Sequence, residues 1–351
     1  MSLIIKEDIS FVINNFSSWE KLRGKTILIS GANGFLPAYM VEVLFALNNL
    51  NSSYKIKVIC LVRNQAKAKE RFKHLVDNPF IEIIEHDVCF EFTYKDKIDF
   101  IVHAASQASP KFYKTDPVGT LNANVFGTSN LIKLAQEHKV ESFLYFSSGE
   151  VYGEVEESKI PIKEDTFGYL NPAVVRSCYA ESKRMGENIC VSYFSQYNVK
   201  AKIVRPFHTY GPGMSLDDGR VFADFVSNIV HKQNITLNSD GSAKRAFCYL
   251  TDATIAFFTV LLNGQDGEVY NVGNPEQEYS ILELANILVD LYAEFKLKVI
   301  LNKELNPNYL KSSITRNSPN IDKLKKLNWQ PKTSVSAGFS RTISSFMLLN
   351  T

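Results

Sequence analysis

The chain has 351 residues, 45% of them hydrophobic and 22% charged, a composition typical of a folded globular protein rather than a disordered or fibrous one. Thirty-nine basic residues stand against 37 acidic ones, and the net charge of +2 gives no reason to expect a nucleic acid or a membrane surface as a partner. The length allows about two domains with a cleft between them, so small partners are expected.

The amino terminus and the cysteines indicate the compartment. Lys6, Glu7 and Asp8 stand where a signal peptide needs an apolar stretch, and no apolar run approaches the ~20 residues of a membrane span. The five cysteines are scattered, with no C-x-x-C pair and no metal-ligand spacing, which fits free thiols in a reducing compartment. We therefore expect a cytoplasmic protein that binds no metal.

Short strands alternate with helices along the first two thirds of the chain. Residues 1–22 form an amphipathic leader, because apolar residues recur there at helical spacing. The predicted strands are residues 25–30, 56–62, 81–84, 100–103 and 143–146. Strands at this interval, separated by helices, predict parallel pairing with right-handed crossovers, hence an α/β fold with a Rossmann-type doubly wound sheet. Beyond about residue 205 the pattern changes to segments with Pro and Gly, and helices are predicted at 280–295 and after Pro331, in a smaller, mostly carboxy-terminal lobe.

A glycine turn follows the first predicted strand. Gly31-Ala-Asn-Gly34 lies between that strand and a predicted helix, the context in which two glycines admit a pyrophosphate to the N–H groups at a helix start. The alternative is an ordinary loop. Pro37 takes the place of the third glycine of the dinucleotide pattern, so we expect a slightly altered first turn.

The residues after the second and third strands are the candidates for the adenosine end of a dinucleotide. Arg63 and Asn64 replace the acid that usually reads the ribose of NAD. Arg63 would contact a 2′-phosphate and favour NADP, or stack on adenine while Asn64 binds the ribose, or simply be a solvated arginine that starts a helix. Asp87 and Val88 are placed to meet the adenine amino group, although an aspartate there is also a common helix cap.

A tyrosine and a lysine four residues apart are the strongest catalytic signal. In Tyr179-Ala-Glu-Ser-Lys183 the phenol and the ammonium share one helical face, and a cation near a phenol lowers its pKa toward that of a general base. Tyr292 and Lys296 have the same spacing but no upstream glycine turn or hydroxyl cluster, so we interpret them as a solvated helix end.

Two serines and a glutamate end a predicted strand some thirty residues before Tyr179. The end of a parallel strand points into the cofactor crevice. Ser148 would therefore bond the substrate hydroxyl that Tyr179 deprotonates, while Glu150 reaches the adjacent carbon. The alternative is that Ser147 and Ser148 cap a loop and Glu150 is solvated.

These patterns together resemble the extended short-chain dehydrogenase/reductases that modify nucleotide sugars. The matching elements, in chain order, are Gly31-x-x-Gly34, His103-Ala-Ala-Ser106, Asn124-Val-Phe-Gly-Thr128, Ser147-Ser-Gly-Glu-Val-Tyr-Gly153, Tyr179-x-x-x-Lys183, Arg205-Pro-Phe-His-Thr-Tyr-Gly-Pro212, Arg245-Ala-Phe-Cys-Tyr-Leu-Thr-Asp252 and Trp329-Gln-Pro331. Within the family, the segments 171–184 and 218–221 look most like the UDP-glucuronate decarboxylases, and the dTDP-glucose 4,6-dehydratases are a more distant match.

The resemblance implies a set of roles. Tyr179 would take the proton of the sugar 4-hydroxyl as hydride leaves C4, Lys183 would lower the pKa of Tyr179 and hold the nicotinamide ribose, and Ser148 would orient the hydroxyl. The residues implied at the cofactor, NAD with NADP left open, are Gly31, Asn33, Gly34, Phe35, Leu36, Arg63, Asn64, Asp87, Val88, Ala104, Ala105, Ser106, Asn124, Lys183 and Pro206. Those implied at the nucleotide sugar are Ser148, Arg176, His208, Arg220, Arg245 and Arg316.

Three positions depart from the family pattern. Gly149 stands where the dehydratases have an aspartate and the decarboxylases a serine, so simple 4,6-dehydration is not expected. His208 replaces an asparagine. Arg316 is followed by Asn317, where decarboxylases usually have a second basic residue.

The expected function is a UDP-glucuronate decarboxylase-type lyase that acts through a 4-keto sugar. The alternatives are an epimerase, 4-dehydrogenase or dehydratase acting on a sugar without a carboxylate, and a non-catalytic nucleotide sensor. The resemblance also implies a homodimer that pairs through helices of the nucleotide domain.

The expected domains follow from the resemblance. They are an amino-terminal helical extension (1–22), an NAD(P)-binding domain (23–205, with a returning segment near 245–275) and a nucleotide-sugar-binding lobe (206–244 and 276–351).

Overall fold

The computed structural model describes residues 2–302 and 314–348. Its strands are β1 Thr26–Ser30, β2 Lys57–Val62, β3 Ile81–Glu85, β4 Phe100–His103, β5 Ser142–Phe146, β6 Ala201–Pro206, β7 His208–Tyr210, β8 Ile235–Leu237, β9 Lys244–Tyr249, β10 Val269–Val272, β11 Glu278–Ser280, β12 Val299–Leu301 and β13 Arg316–Asn317. Its α-helices are α1 Leu3–Asn14, α2 Phe35–Leu50, α3 Gln65–Arg71, α4 Pro110–Thr115, α5 Pro117–His138, α6 Cys178–Tyr197, α7 Val221–Val230, α8 Leu250–Asn263, α9 Ile281–Leu291, α10 Asp322–Lys325 and α11 Val335–Met347.

The larger sheet is parallel and doubly wound, which confirms the predicted fold class. Among the described residues its strand order is β3-β2-β1-β4-β5-β6-β10. Strands buried on both faces are apolar along their whole length, as Ile27, Leu28 and Ile29 of β1 are. The chain direction across the sheet reverses between β1 and β4, and ligands of such sheets bind at this switch point, outside the carboxyl ends of the strands.

Helices cover both faces of this sheet. On one face α5 and α6 pack against the sheet and against each other. On the other face α1, α2 and α8 share a single apolar cluster. The long contact between α5 and α6 places Tyr179, near the start of α6, beside the carboxyl end of β5.

Within the predicted amino-terminal extension, residues 3–14 and 18–22 are helical. Ser2 caps α1, and a 3-10 helix follows at Ser18–Leu22. Ile9 and Val12 of α1 are buried against the cluster that contains α2 and α8, and α1 also contacts α11 near the carboxyl end of the chain.

The smaller lobe has its own sheet and core. β9 pairs with β7 and β13 in parallel and with β11 antiparallel, and the pair β8–β12 lies beside them. Helices α7, α9 and α11 pack around a separate apolar cluster that includes Phe247 and Tyr249 of β9. The sequence predicted a return to the larger domain from about residue 245, but β9 belongs to the lobe sheet. The return therefore begins with α8, and β10 then joins the larger sheet beside β6.

Within the described ranges no helix combines the length and the apolarity needed to cross a bilayer. All five cysteines are free thiols, and four of them are buried.

Candidate active site

The glycine turn is built for close approach. Gly31 has φ +64°, and the N–H of Gly34 donates to its carbonyl at 2.7 Å before α2 begins at Phe35. A Cβ on Gly31 would lie 2.7 Å from Cα of Ala105. Only glycine combines this left-handed backbone with so short a distance to the segment after β4. The ring of Pro37 is buried within the first turn of α2, which accommodates it because N–H groups of a first turn have no intrahelical acceptor.

Polar atoms around the turn fit a dinucleotide. Ser30 Oγ accepts from the N–H groups of Ala104 and Ala105, both at 3.2 Å, which fixes that loop beside Gly31. Asn124 Oδ1 and Ser106 Oγ are buried and have no hydrogen-bond partner in the described part of the chain. Buried polar atoms are seldom left unpaired, so these two are suited to a bound polar group. The residues present therefore fit NAD.

At the adenosine end, the structure shows local roles for two predicted residues. Asn64 Oδ1 accepts from Lys67 N at 2.8 Å and caps α3. Asp87 Oδ1 accepts from Cys89 N at 2.9 Å. Partial burial raises the pKa of Asp87, but the hydrogen bonds with Cys89 and the charge of Arg63 outweigh it and leave the pKa below its ordinary value. Arg63 is exposed, and its contact with a cofactor stays a prediction.

Tyr179 and Lys183 lie one turn apart on the buried face of α6. Nζ of Lys183 donates to the carbonyl of Phe146 at 2.6 Å and lies 5.8 Å from the centre of the Tyr179 ring. The hydroxyl of Ser148, which follows β5, lies close enough to Tyr179 to lower the pKa of the phenol. The predicted catalytic serine, tyrosine and lysine are thus brought together.

The pKa values of this pair differ from the expectation. Burial raises the pKa of Tyr179; the Ser148 hydroxyl and the Arg220 charge lower it, and the net result lies above the ordinary value. Burial lowers the pKa of Lys183 to about 7, although Glu187 opposes this shift. The expected lowering of the Tyr179 pKa does not appear, because desolvation of the phenolate outweighs the nearby positive charges.

Glu150 lies at the mouth of a small cavity. It lies in the 3-10 helix Gly149–Tyr152, and its Oε2 is 3.3 Å from Nη2 of Arg176. Both side chains line a cavity of about 180 Å³ next to the start of α6. Two predicted site residues therefore form a half-exposed ion pair beside the catalytic face.

Tyr113 is a site residue that the sequence analysis missed. Its ring stacks on that of Tyr179, with the ring centres 5.0 Å apart. The guanidinium of Arg176 lies 5.1 Å from the centre of the Tyr113 ring. Its Oη donates to the carbonyl of Ala108 at 2.9 Å. No spacing pattern in α4 distinguishes this tyrosine, since the contact arises only when α4 packs beside α6.

Three of the residues implied at the nucleotide sugar, His208, Arg220 and Arg245, lie near one another. Arg220, just before α7, donates to the carbonyl of Ala108 at 3.3 Å and is close enough to lower the pKa of Tyr179. His208 lies near both Arg220 and Arg245, and burial together with these charges lowers its pKa well below the ordinary value. The imidazole is therefore neutral, and its Nδ1 is buried without a partner in the described part of the chain.

Arg316 is not free. Its Nη2 donates to Oε2 of Glu278 at 2.9 Å, and its Nη1 donates to Glu157. These hydrogen bonds hold the pKa of Arg316 above its ordinary value. The structure thus pairs Arg316 within the chain, and its predicted contact with a substrate would require this pair to open first.

Gly149 is closely covered by an aromatic ring. A Cβ at this position would lie 3.2 Å from the ring of Phe207, which follows Pro206 at the end of β6. A serine or aspartate side chain there would press on this ring. A side chain at position 149 would therefore require the Phe207 ring to move by a few tenths of an ångström.

Across residues 2–302 and 314–348 no three or more side chains of His, Cys, Asp or Glu are grouped so as to hold a metal ion.

Comparison with known proteins identifies the family and the fold. The model of the NAD dependent epimerase/dehydratase family matches residues 27–273. UDP-glucuronic acid decarboxylase 1 of Arabidopsis thaliana is 36% identical over 321 residues, which cover 91% of this chain and 69% of that protein. An epimerase structure from Methanothermobacter thermautotrophicus superposes with a TM-score of 0.80 at 22% identity, covering 97% of this chain and 96% of the other. The Bacillus cereus UDP-glucuronic acid 4-epimerase, solved with UDP-glucuronic acid and NAD, gives 0.77 at 22% identity and covers 92% and 99%. With a model matching most of its length and a relative this similar, the chain belongs to the NAD dependent epimerase/dehydratase family.

Proposed function

We propose that the chain modifies a nucleotide sugar by transient oxidation at C4, and that UDP-glucuronate decarboxylation is its reaction. The proximity of Ser148 to Tyr179, with Lys183 one turn further along α6, carries this proposal. The similarity to UDP-glucuronic acid decarboxylases over 91% of the chain supports the choice of substrate.

The chemistry follows from where these side chains lie. Tyr179 accepts the proton of the 4-hydroxyl. Ser148, which lies beside Tyr179, holds the same hydroxyl in place. NAD, when bound, supplies the acceptor for the C4 hydride and later returns it. A ketone at C4 makes a C5 carboxylate a β-keto acid, so the bond from C5 to the carboxylate breaks, carbon dioxide leaves and C5 gains a proton. The positive charge of Lys183 stabilises the phenolate during oxidation.

A second function is favoured by Arg316. The arginine expected at a sugar carboxylate is paired with Glu278 and Glu157, and the next residue, Asn317, is neutral. An epimerase or 4-dehydrogenase acting on a sugar without a carboxylate would not need this cation. In an epimerisation at C5, Glu150, which lines the cavity beside α6, would exchange the proton at C5 of the 4-keto sugar. Dehydration is less well supported, since Gly149 carries no acid.

The test uses two matched tyrosine variants. The wild type, Tyr179→Phe and Tyr292→Phe are incubated with NAD and either UDP-glucuronate or UDP-glucose. Products are separated by chromatography against standards of the epimers, which have the same mass as the substrate, and identified by mass spectrometry. We expect loss of carbon dioxide from UDP-glucuronate with the wild type and with Tyr292→Phe, and no turnover with Tyr179→Phe. Conversion of UDP-glucose but not of UDP-glucuronate would select the second function. Full activity in Tyr179→Phe would refute the mechanism, and NAD binding without turnover of any sugar would indicate a nucleotide sensor.

We also propose a homodimer that forms through α5 and α6. These helices carry exposed apolar side chains on their outer surface, among them Phe126, which is 55% exposed, and Met185, which is 50% exposed. Large exposed apolar side chains that cluster on one surface mark interaction sites. Light scattering should show a dimer for the wild type and a monomer for the Phe126→Ser, Met185→Ser double variant.

We also propose a cytoplasmic location, which the unpaired cysteines support.

A further inference from the structure

Three consecutive residues at the end of β5 contact three successive turns of α6. Residues four apart on a helix share a face, so one face of α6 presents a side chain every turn to the same strand end. The contacts join Ser148 to Tyr179, the carbonyl of Phe146 to Nζ of Lys183, and Oγ of Ser147 to the carboxylate of Glu187. The first two pairs belong to the proposed catalytic group, and the third involves a carboxylate to which the mechanism gives no role.

Glu187 is buried and held by an arginine from the neighbouring strand. It is 8% exposed, and Arg205 of β6 donates to both of its oxygens, at 2.8 Å from Nε and 2.6 Å from Nη2. Arg205 also donates to Oη of Tyr152 at 2.8 Å, and Tyr152 in turn donates to Asn271 of β10 at 2.6 Å. This two-pronged contact fixes the orientation of the carboxylate.

The negative charge of Glu187 also favours the protonated form of Lys183. Burial disfavours the ammonium, and Glu187 is the largest contribution that opposes it. The titratable groups that surround Lys183 are Tyr179, Glu187 and Cys190 of α6, Tyr145 of β5 and His103 of β4, with Arg205 behind Glu187. Glu187 is the only carboxylate among these groups, and burial raises the pKa values of the thiol and of both phenols.

We infer that Glu187 is a positioning residue of this enzyme: it locks the end of β5 against α6 through Ser147 and supplies the charge that keeps Lys183 cationic, with Arg205 aligning its carboxylate. The inference rests on the proposed function, since it assigns Lys183 its catalytic charge. A purely structural Glu187 would affect folding stability but not the pH dependence of the reaction.

The test compares Glu187→Gln with Glu181→Gln. Glu181 is on the same helix but is half-buried and paired only loosely with Arg184, at 3.6 Å. For Glu187→Gln we expect the alkaline limb of the kcat profile to move down by about one pH unit, so that kcat at pH 8 falls roughly tenfold while KM for the nucleotide sugar stays within about twofold. Glu181→Gln should keep the wild-type profile.

A second readout does not depend on turnover. Lys183 is expected to hold the nicotinamide ribose, so NADH affinity is measured by calorimetric titration at pH 5 and 7. Because the pKa of Lys183 lies at about 7, Glu187→Gln should bind NADH several-fold more weakly than the wild type at pH 7 and about equally at pH 5. If no nucleotide sugar is converted by the wild type, the proposed function fails while this titration still tests Glu187.

Two results would overturn the inference. The first is a Glu187→Gln protein whose pH profile and NADH affinity match those of Glu181→Gln. The second result comes from Glu187→Asp and applies if Glu187→Gln does not fold. Glu187→Asp keeps the charge but withdraws it from Lys183, and it should shift the limb in the same direction by a smaller amount. A folded Glu187→Asp protein with an unshifted limb and unchanged NADH affinity would show that Glu187 has only a structural role.

Discussion

The absence of a side chain at Gly31 lets the first turn touch the segment after β4. Gly24 provides a natural comparison, because its φ of +68° nearly equals the +64° of Gly31. A Cβ on Gly24 would meet no atom within 4 Å, whereas one on Gly31 would meet Ala105 Cα at 2.7 Å. The two positions therefore separate backbone strain from close approach.

Replacing each glycine by alanine should separate these two effects. Gly24→Ala carries only the left-handed strain and should lower the free energy of unfolding by about 1–2 kcal/mol. Gly31→Ala adds a clash with backbone that cannot move aside, so it should lose more stability and weaken NAD binding at least tenfold. Urea denaturation and calorimetric titration with NAD measure both quantities. Equal losses of stability with unchanged NAD affinity would show that the close approach has no importance.

Sequence reasoning found the residues whose spacing carries the chemistry. The interval from Tyr179 to Lys183 is local to one helix, so it can be recognised without a fold. The roles of Tyr113 and Arg205 could not be found in this way. Their contacts depend on how α4 and β6 pack beside α6, which no local pattern records. The cap formed by Asn64 was recognisable in principle, because an asparagine just before a helix is a common N-cap.

At the scale of elements, α6 approaches β5 unusually closely at one point. Gly186 faces Tyr145 of β5, and a Cβ on this glycine would lie 2.1 Å from Oη of that tyrosine. Tyr145 is fully buried, so its ring has no free space to move into. The distance between α6 and β5, which brings Tyr179 to Ser148, depends on this contact.

Gly186→Ala should therefore separate the helix from the strand. We expect a loss of about 2–3 kcal/mol in stability and a lower kcat, because overpacking a closed core displaces the elements that meet there. Tyr145→Leu makes room for the added methyl group, so the double variant should lose less stability than the sum of the two single variants. Denaturant unfolding of the four proteins completes this cycle. Additive losses would mean that the two residues are not in contact.

The alternation of strands and helices predicted the larger sheet but did not identify β9, and the returning segment expected near 245–275 assigned these residues to the larger domain. Its Ala246, Phe247 and Cys248 are as apolar as the strands of the larger sheet. The apolar pattern of a buried strand is the same in either sheet. The partners of β9, which are β7, β11 and β13, are set by tertiary packing. The sheet to which β9 belongs could therefore not be predicted from its own residues.

For the whole molecule, α1 connects the two ends of the chain and both lobes. Asp8 of α1 is 2% exposed and accepts hydrogen bonds from Tyr249 Oη at 2.7 Å and Arg341 Nε at 2.9 Å. Tyr249 ends β9 of the lobe sheet, and Arg341 lies in α11. The adjacent Glu7 also pairs with Arg341, at 3.1 Å, but its side chain is half exposed.

Asp8→Ala should loosen the carboxy-terminal lobe from the larger domain. The substitution leaves a buried tyrosine hydroxyl without its acceptor and removes one anion from Arg341, which together should cost about 2–4 kcal/mol of stability. Glu7→Ala is the matched control, because a half-exposed ion pair contributes at most about 1 kcal/mol. Denaturant unfolding gives the stabilities, and limited proteolysis reports whether α11 becomes accessible before the larger domain unfolds. If the two variants are equally stable and equally resistant in α11, Asp8 does not join the lobes, and the contact of α1 with the rest of the chain depends on its apolar face alone.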